Sequence, residues 1–209
     1  MVDAIMNGIA AVMGTQWVYP LVGVLIFFDC MLPVLPSELP LNMVGTWYGS
    51  QGFPHLGTMF TIALVAGMLG DNLVYSFAIR LMPLINRAQK GSKMYDSLQW
   101  VKRNMRRNAG AAIVIARFIP GARLVMTILL GAMRYPWPLF FFFDTTGVAL
   151  WAIQALGVGW LGGKLFGGNP AFAMAISIVA AVILGYALQK GINWFMNWRD
   201  TQRGYAETP

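Results

Sequence analysis

Six ionisable side chains stand in stretches of this chain that are otherwise apolar enough for a bilayer: Asp29, Glu38, Asp71, Arg117, Arg123 and Asp144. Each charge at membrane depth costs about 2.5–3.5 kcal/mol, so six cost about 15–20 kcal/mol, more than the net stability of a typical fold. They must be paired, protonated or hydrated. Their types suggest a division of labour. Guanidinium groups keep their charge and match phosphate bidentately, so Arg117 and Arg123 are candidate phosphate ligands. Burial disfavours an ionised carboxylate, so Asp29 and Glu38 are candidate proton-coupling groups. Spacing adds a condition. Asp29 and Glu38 are nine residues apart and Arg117 and Arg123 six apart, about 180° and 240° around a straight helix. Neither pair converges unless the chain bends between its members.

The sequence supplies both bends. Residues 29–50 carry Pro33, Pro36 and Pro40, which forbid one continuous helix. Residues 110–134 are broken at Pro120-Gly121. Irregular backbone at membrane depth is tolerated only where protein or a water-filled cavity surrounds it, so each stretch is read as a re-entrant hairpin. An apolar span follows each hairpin, over 55–83 and 137–163, and a third span covers 171–190. The first span exceeds what a bilayer core requires, so it should tilt or bend near Gly67 and Gly70. Residues 1–28 form an N-terminal helical segment of open topology.

Between the halves, 84–109 holds seven Lys or Arg against one acid, Asp96. Such enrichment marks the cytoplasmic face. Lys190, Arg199 and Arg203 place the tail, 191–209, on the same side, with Trp194 and Trp198 at the interface. The first hairpin then enters from outside and the second from inside. This is an inverted repeat, with broken segments at matching positions pointing to a transport site at the midplane. The expected fold is a single all-α integral membrane domain.

Lesser candidates complete the site. Asp71, Asn72 and Tyr75 in the first span, and Asp144 in the second, are expected to line the cavity. Arg80 and Arg134 are expected to snorkel to the interfaces. Cys30 is read as a small apolar residue.

Composition narrows the function. The 209 residues are 57% hydrophobic and 11% charged, with a mean hydropathy of +0.59, against about 25% charged in a soluble domain. The net charge of +7 is clustered rather than spread over a solvated face, which argues against a nucleic-acid partner. One cysteine excludes an intramolecular disulfide. One histidine, His55, makes a His-based metal site, triad or lipid phosphatase unlikely to be built here. No metal or cofactor is expected. The N-terminus lacks the basic region of a standard signal peptide.

Three stretches resemble the DedA family, also called the VTT or SNARE-associated domain family. The first is Asp29-Cys30-Met31-Leu32-Pro33-Val34-Leu35-Pro36-Ser37-Glu38. The second is Gly70-Asp71, followed by Tyr75 and Arg80. The third is Ala116-Arg117-Phe118-Ile119-Pro120-Gly121-Ala122-Arg123, then Gly131, Met133, Phe140, Gly147 and Trp151. The resemblance implies a multi-pass protein of the bacterial inner membrane that returns undecaprenyl phosphate, the carrier lipid of cell-wall synthesis, to the inner leaflet with proton dependence. Eukaryotic relatives scramble phospholipids. The family's essential acids fall on Asp29 and Glu38, and its essential arginines on Arg117 and Arg123. Departures are Asp29 for a frequent Glu, Ala78 for a frequent Gly, and Asp144 for a usual Asn.

The leading expectation is therefore a non-enzymatic, proton-coupled polyprenyl-phosphate transporter. Alternatives are a proton-coupled small-solute or ion carrier, a phospholipid scramblase, a lipid-phosphate enzyme and a scaffold. The bilayer, the lipid and protons are the expected partners, and homo-oligomerisation is left open.

Overall fold

Both prolyl stretches interrupt the helices around them. The computed structural model describes residues 11–32, 37–85, 110, 112–118 and 122–166, with isolated positions 176 and 190, and is all-helical there. Helix α1 runs Val18–Met31 and α2 runs Glu38–Gln51, with the break between them. Helix α3 is Leu56–Ile85. A short helical segment at 112–116 turns at 117–118. Helix α4 is Ala122–Ala132 and α5 is Trp137–Phe166. The third span (171–190), the tail (191–209) and nearly all of the basic stretch (84–109) lie outside the described residues.

Two boundaries differ from the sequence reading. The division at 28/29 falls inside α1, so the N-terminal segment and the start of the first hairpin are one helix. Pro33 and Pro36 bound where α1 can end but say nothing of where it begins. Pro40 is also not a breaker. It is the third residue of α2, within the first turn, where the missing N–H has no intrahelical partner to lose.

Among the described residues, only α3 and α5 have the length and apolarity to cross a bilayer, over Leu56–Arg80 and Trp137–Phe166. Each helix is 30 residues long, about 45 Å at about 1.5 Å per residue. At 14, 14 and 11 residues, α1, α2 and α4 reach only about 21, 21 and 17 Å, short of the ~30 Å hydrocarbon core.

Packing divides each broken segment between the two long helices. Helix α1 lies on α3 and α2 on α5. Helix α4 lies on α3, while the 112–116 segment lies on α5, where Gly147 comes close to Val114. The residues flanking the breaks are thereby held against the two long helices, Cys30 beside Gly70 of α3 and Arg117 beside Gly147 of α5. On α1 the buried positions Val18, Val22, Ile26 and Cys30 recur every four residues. They form one stripe, because residues four apart share a helix face. Its Val18, Val22 and Ile26 join Leu41 and Val44 of α2, Met59 and Ala63 of α3, and Trp151, Ala152, Ala155 and Leu156 of α5 in one apolar core. Gly67 and Gly70 do not interrupt α3, which is one unbroken helix. They let neighbours approach instead: a Cβ on Gly70 would sit 2.6 Å from Cys30 Cβ, and one on Gly67 would sit 2.9 Å from Val148 and 3.2 Å from an Arg117 nitrogen.

Helix α4 ends on a left-handed residue. Arg134 has φ 52°, its N–H bonds Gly131 O at 3.0 Å, and the N–H of Tyr135 reaches back to Leu130 O at 3.0 Å. This is a Schellman cap with arginine at the position that glycine usually takes. Arg134→Gly should therefore raise stability by up to about 1 kcal/mol, read as a higher unfolding midpoint in detergent. A lower midpoint would show that the arginine side chain makes a stabilising contact.

Candidate functional site

The charges gather where the breaks meet the long helices. Arg117, in the turn after 112–116, points one nitrogen, Nη1, at two carboxylates: Asp71 Oδ2 of α3 at 2.7 Å and Asp144 Oδ1 of α5 at 3.0 Å. The three side chains are sealed, at 4%, 1% and 4% exposure. Above the guanidinium lies the Trp151 ring, 5.7 Å from Cζ to centroid, within cation–π range. Gly147 lies against the arginine stem, where an added Cβ would be in ordinary contact with Arg117 Cδ at 3.4 Å.

Arg123 opens the second ligand set from the first turn of α4. Its Nη2 donates to Asp29 O at 2.8 Å and to Asp29 Oδ2 at 3.3 Å, and its Nη1 donates to Cys30 Sγ at 3.0 Å. The same Nη1 is 3.7 Å from Asp71 Oδ1, which links the two sets through one carboxylate. Arg123 and Asp29 are each 15% exposed. Ser37, beside the first break, donates to Asp29 Oδ2 at 2.7 Å. Glu38 opens α2, is exposed, and makes no ion pair within 4.0 Å among the described residues. It lies within Coulombic reach of Asp29 and Arg123 and in side-chain contact with Trp151.

The cluster is thus graded from a sealed base of Asp71, Arg117 and Asp144, through a half-open layer of Asp29 and Arg123, to Glu38 at the surface. Four carboxylates face two guanidinium groups. With every group ionised its buried part, three carboxylates and two guanidinium groups without the exposed Glu38, would carry a charge of −1, which is costly to leave uncompensated at low dielectric. Protons or another cation must make up the difference.

Six of the eight residues singled out in the sequence come together here, but not in the expected pairing. Arg123 meets Asp29, as the two bends require, whereas Arg117 meets the acids of the long helices rather than those of the first hairpin. Asn72 and Tyr75 lie elsewhere. Asn72 donates to Met68 O of its own helix at 2.8 Å and accepts from Trp137 Nε1 at 2.8 Å. The Tyr75 hydroxyl donates to the carbonyl of Tyr135 at the α4–α5 turn, and its ring stacks on Phe140 with centroids 4.5 Å apart. The sequence reading missed three contributors. Cys30 is a ligand of Arg123 as well as a packed apolar residue, and its thiol points at Gly67 O, 3.7 Å away. Ser37 orients Asp29. Trp151 covers Arg117. All three stand in the stretches that carry the family resemblance, which was the one signal the sequence offered for them.

No group of three or more His, Cys, Asp or Glu among the described residues has the arrangement of a metal site.

Comparison with known proteins adds the family. The VTT domain matches residues 35–161, a range that contains Glu38, Asp71, Arg117, Arg123, Asp144 and Trp151 but not Asp29 or Cys30. The chain is similar to undecaprenyl phosphate transporter A of Staphylococcus aureus, 28% identical over 139 residues covering 64% of this chain and 68% of that protein. It is also similar to an uncharacterised membrane protein of Mycobacterium tuberculosis, 24% identical over 177 residues, 82% of this chain and 75% of that one. A third relative is the inner membrane protein YohD of Escherichia coli, 23% identical over 125 residues, 60% of this chain and 64% of that protein. No solved structure matches the chain. With the match extending over more than half of its length, from the first break through the arginines to the second long helix, this chain is a membrane protein of the VTT-domain, or DedA, family.

Proposed function

We propose that this protein carries polyprenyl phosphate, of the undecaprenyl type, between the leaflets of a bacterial inner membrane for cell-envelope synthesis, coupled to protons and without covalent catalysis. The observation that carries the reading is Arg123: a permanent cation inside an apolar protein, mostly buried but not sealed, and neutralised by a carboxylate that can leave. Two of its contacts, Asp29 O and Cys30 Sγ, do not depend on the charge of Asp29. When Asp29 takes up a proton, the guanidinium keeps its place and loses its counter-charge. A lipid phosphate can then take over from the carboxylate through charge-assisted hydrogen bonds. Loss of the proton restores the ion pair and expels the phosphate. Glu38, at the mouth, is placed to pass protons to and from Asp29. Phe28, Leu32 and Leu39, which flank the two acids in sequence, are exposed apolar side chains against which a prenyl tail can stay in the bilayer. The relative named as an undecaprenyl phosphate transporter supports the choice of lipid.

The short helices support the architecture. Arms of about 21 Å in the first broken segment and about 17 Å for α4 in the second are too short to cross singly, so each broken segment is read as a re-entrant hairpin. The first enters from outside and the second from the cytoplasmic side, where the basic stretch 84–109 and the tail lie.

Leaflet-resolved movement of polyprenyl phosphate in proteoliposomes tests the reading. Arg123→Ala should slow it at least about tenfold, because a charged hydrogen bond is worth about 1.5–3 kcal/mol and about 1.4 kcal/mol is a factor of ten. Unchanged movement removes Arg123 from the role. The excess of carboxylates over arginines favours a second reading, a proton-coupled carrier of small solutes or ions. Flux driven by a pH gradient in vesicles free of polyprenyl lipid would select that one.

A further inference from the structure

The sealed base of the cluster has a charge imbalance of its own that the transport reading does not use. Asp71 Oδ2 and Asp144 Oδ1 converge on the same nitrogen of Arg117, at 2.7 and 3.0 Å. Both oxygens lie within 3.0 Å of that one atom, so the two carboxyl groups stand side by side around it. Their outer oxygens, Asp71 Oδ1 and Asp144 Oδ2, are buried without a hydrogen-bond partner. One guanidinium cannot neutralise two acids, and none of the three groups is more than 4% exposed.

The other charged or titratable groups around the pair do not close the gap. From α4, Arg123 comes only to 3.7 Å of Asp71 and is already paired with Asp29 of α1. Cys30 of α1 accepts from Arg123. Glu38 of α2 adds negative charge at the mouth. Trp151, on the same helix as Asp144, offers Arg117 a ring face and no counter-charge.

We propose that Asp71 and Asp144 share a single bound proton across Arg117, making this triad a proton-binding site separate from the Asp29–Arg123–Glu38 end of the cluster. With the proton bound, one carboxylic acid, one carboxylate and one guanidinium sum to zero. When it leaves for solvent, the triad is left with a net charge of −1, and the two carboxylates repel each other around one cation. The site therefore holds its proton through conditions in which an exposed aspartate is ionised, and releases it only when the seal opens.

Infrared spectroscopy of the protein in lipid nanodiscs tests this without any lipid substrate. The wild type should show a carboxylic-acid C=O band at neutral pH that shifts in heavy water and moves on isotopic labelling of the aspartate carboxyl carbon. Asp144→Asn and Asp71→Asn should each abolish it, because each leaves one acid ion-paired with Arg117. Asp29→Asn and Glu38→Gln should keep it. The amide bands of the same spectra report whether each variant is folded. If neither variant folds, the labelled wild type still decides: no aspartate-derived band at neutral pH overturns the proposal. A band that survives in either folded single variant also overturns it, since one acid is then protonated by burial alone. Because the readout needs no transport, failure of lipid movement leaves this site standing, and a missing band leaves the transport reading standing.

Discussion

Arg117→Met should unfold this protein more readily than any other single change at the site, by about 3–5 kcal/mol. That range is the cost of removing one partner from a buried ion-paired set. The arginine is the only cation within 3.0 Å of either Asp71 or Asp144 among the described residues. Removing it leaves two acids that must take up a second proton, draw water into a sealed space or separate. Methionine fills much of the same volume, so the loss reports charge rather than a cavity. The converse follows from the same physics. Replacing a whole buried ionic set by neutral groups is often tolerated, because the desolvation of the ions disappears along with their attraction. The triple variant Arg117→Met, Asp71→Asn, Asp144→Asn should therefore recover at least half of the stability that the single variant loses. Both are measured as unfolding free energies in mixed micelles. A single variant that loses less than about 1 kcal/mol would mean the triad is not a coupled unit. A triple variant no better than the single one would assign the loss to packing.

This pairing shows what the sequence could and could not disclose. Proline and glycine positions, together with charges in apolar runs, were enough to place both breaks and to bring Asp29 toward Arg123. The two long helices were expected over 55–83 and 137–163 and lie at Leu56–Ile85 and Trp137–Phe166, because long uniform apolarity is a strong signal. Which acid Arg117 meets was not legible. Residue spacing gives an angle around one helix, whereas a pairing between helices depends on the depth at which they cross. Here that depth is set by close packing at Gly67 and Gly70. Tyr75 shows the same limit. It lies one turn from Asp71 and on the same side of α3, yet one turn is enough to carry it out of the cluster to the α4–α5 turn. Cys30 was read from its chemistry alone, as a small apolar residue. Its role as a ligand arises from position, next to Asp29 on the buried stripe of α1.

The crossing of α2 over α5 is the second place where one atom should have a large effect. Glycines recur four apart on both helices, Gly45 and Gly49 on α2, Gly159 and Gly163 on α5, so that the backbones touch. A Cβ on Gly163 would overlap the carbonyl of Thr46 and lie 2.8 Å from its carbon and 3.0 Å from its Cα. One on Gly45 would lie 3.0 Å from the backbone nitrogen of Trp160. These neighbours are main-chain atoms, which cannot rotate away, so the helices themselves must separate. Separation also breaks the hydrogen bond from Asn42 Nδ2 to Ala155 O, 3.3 Å, and loosens the core around Leu41, Val44, Ala155 and Leu156. Gly163→Ala should cost about 3 kcal/mol, the upper end of what an inserted methyl group costs in a close-packed interior. Gly157→Ala is the matched control on the same helix, because nothing lies within 4 Å of the added carbon. Alanine is the better helix former there, so the change should be neutral or stabilising by up to about 1 kcal/mol. Because α2 carries Glu38 at its N-terminus, moving the helix displaces the mouth of the charge cluster from a distance. Gly163→Ala should then slow lipid movement although its side chain touches none of the charged groups. Equal unfolding midpoints for the two alanine variants would mean that the α2–α5 contact is looser than the backbone distances require, and the path from this crossing to Glu38 would fall with it.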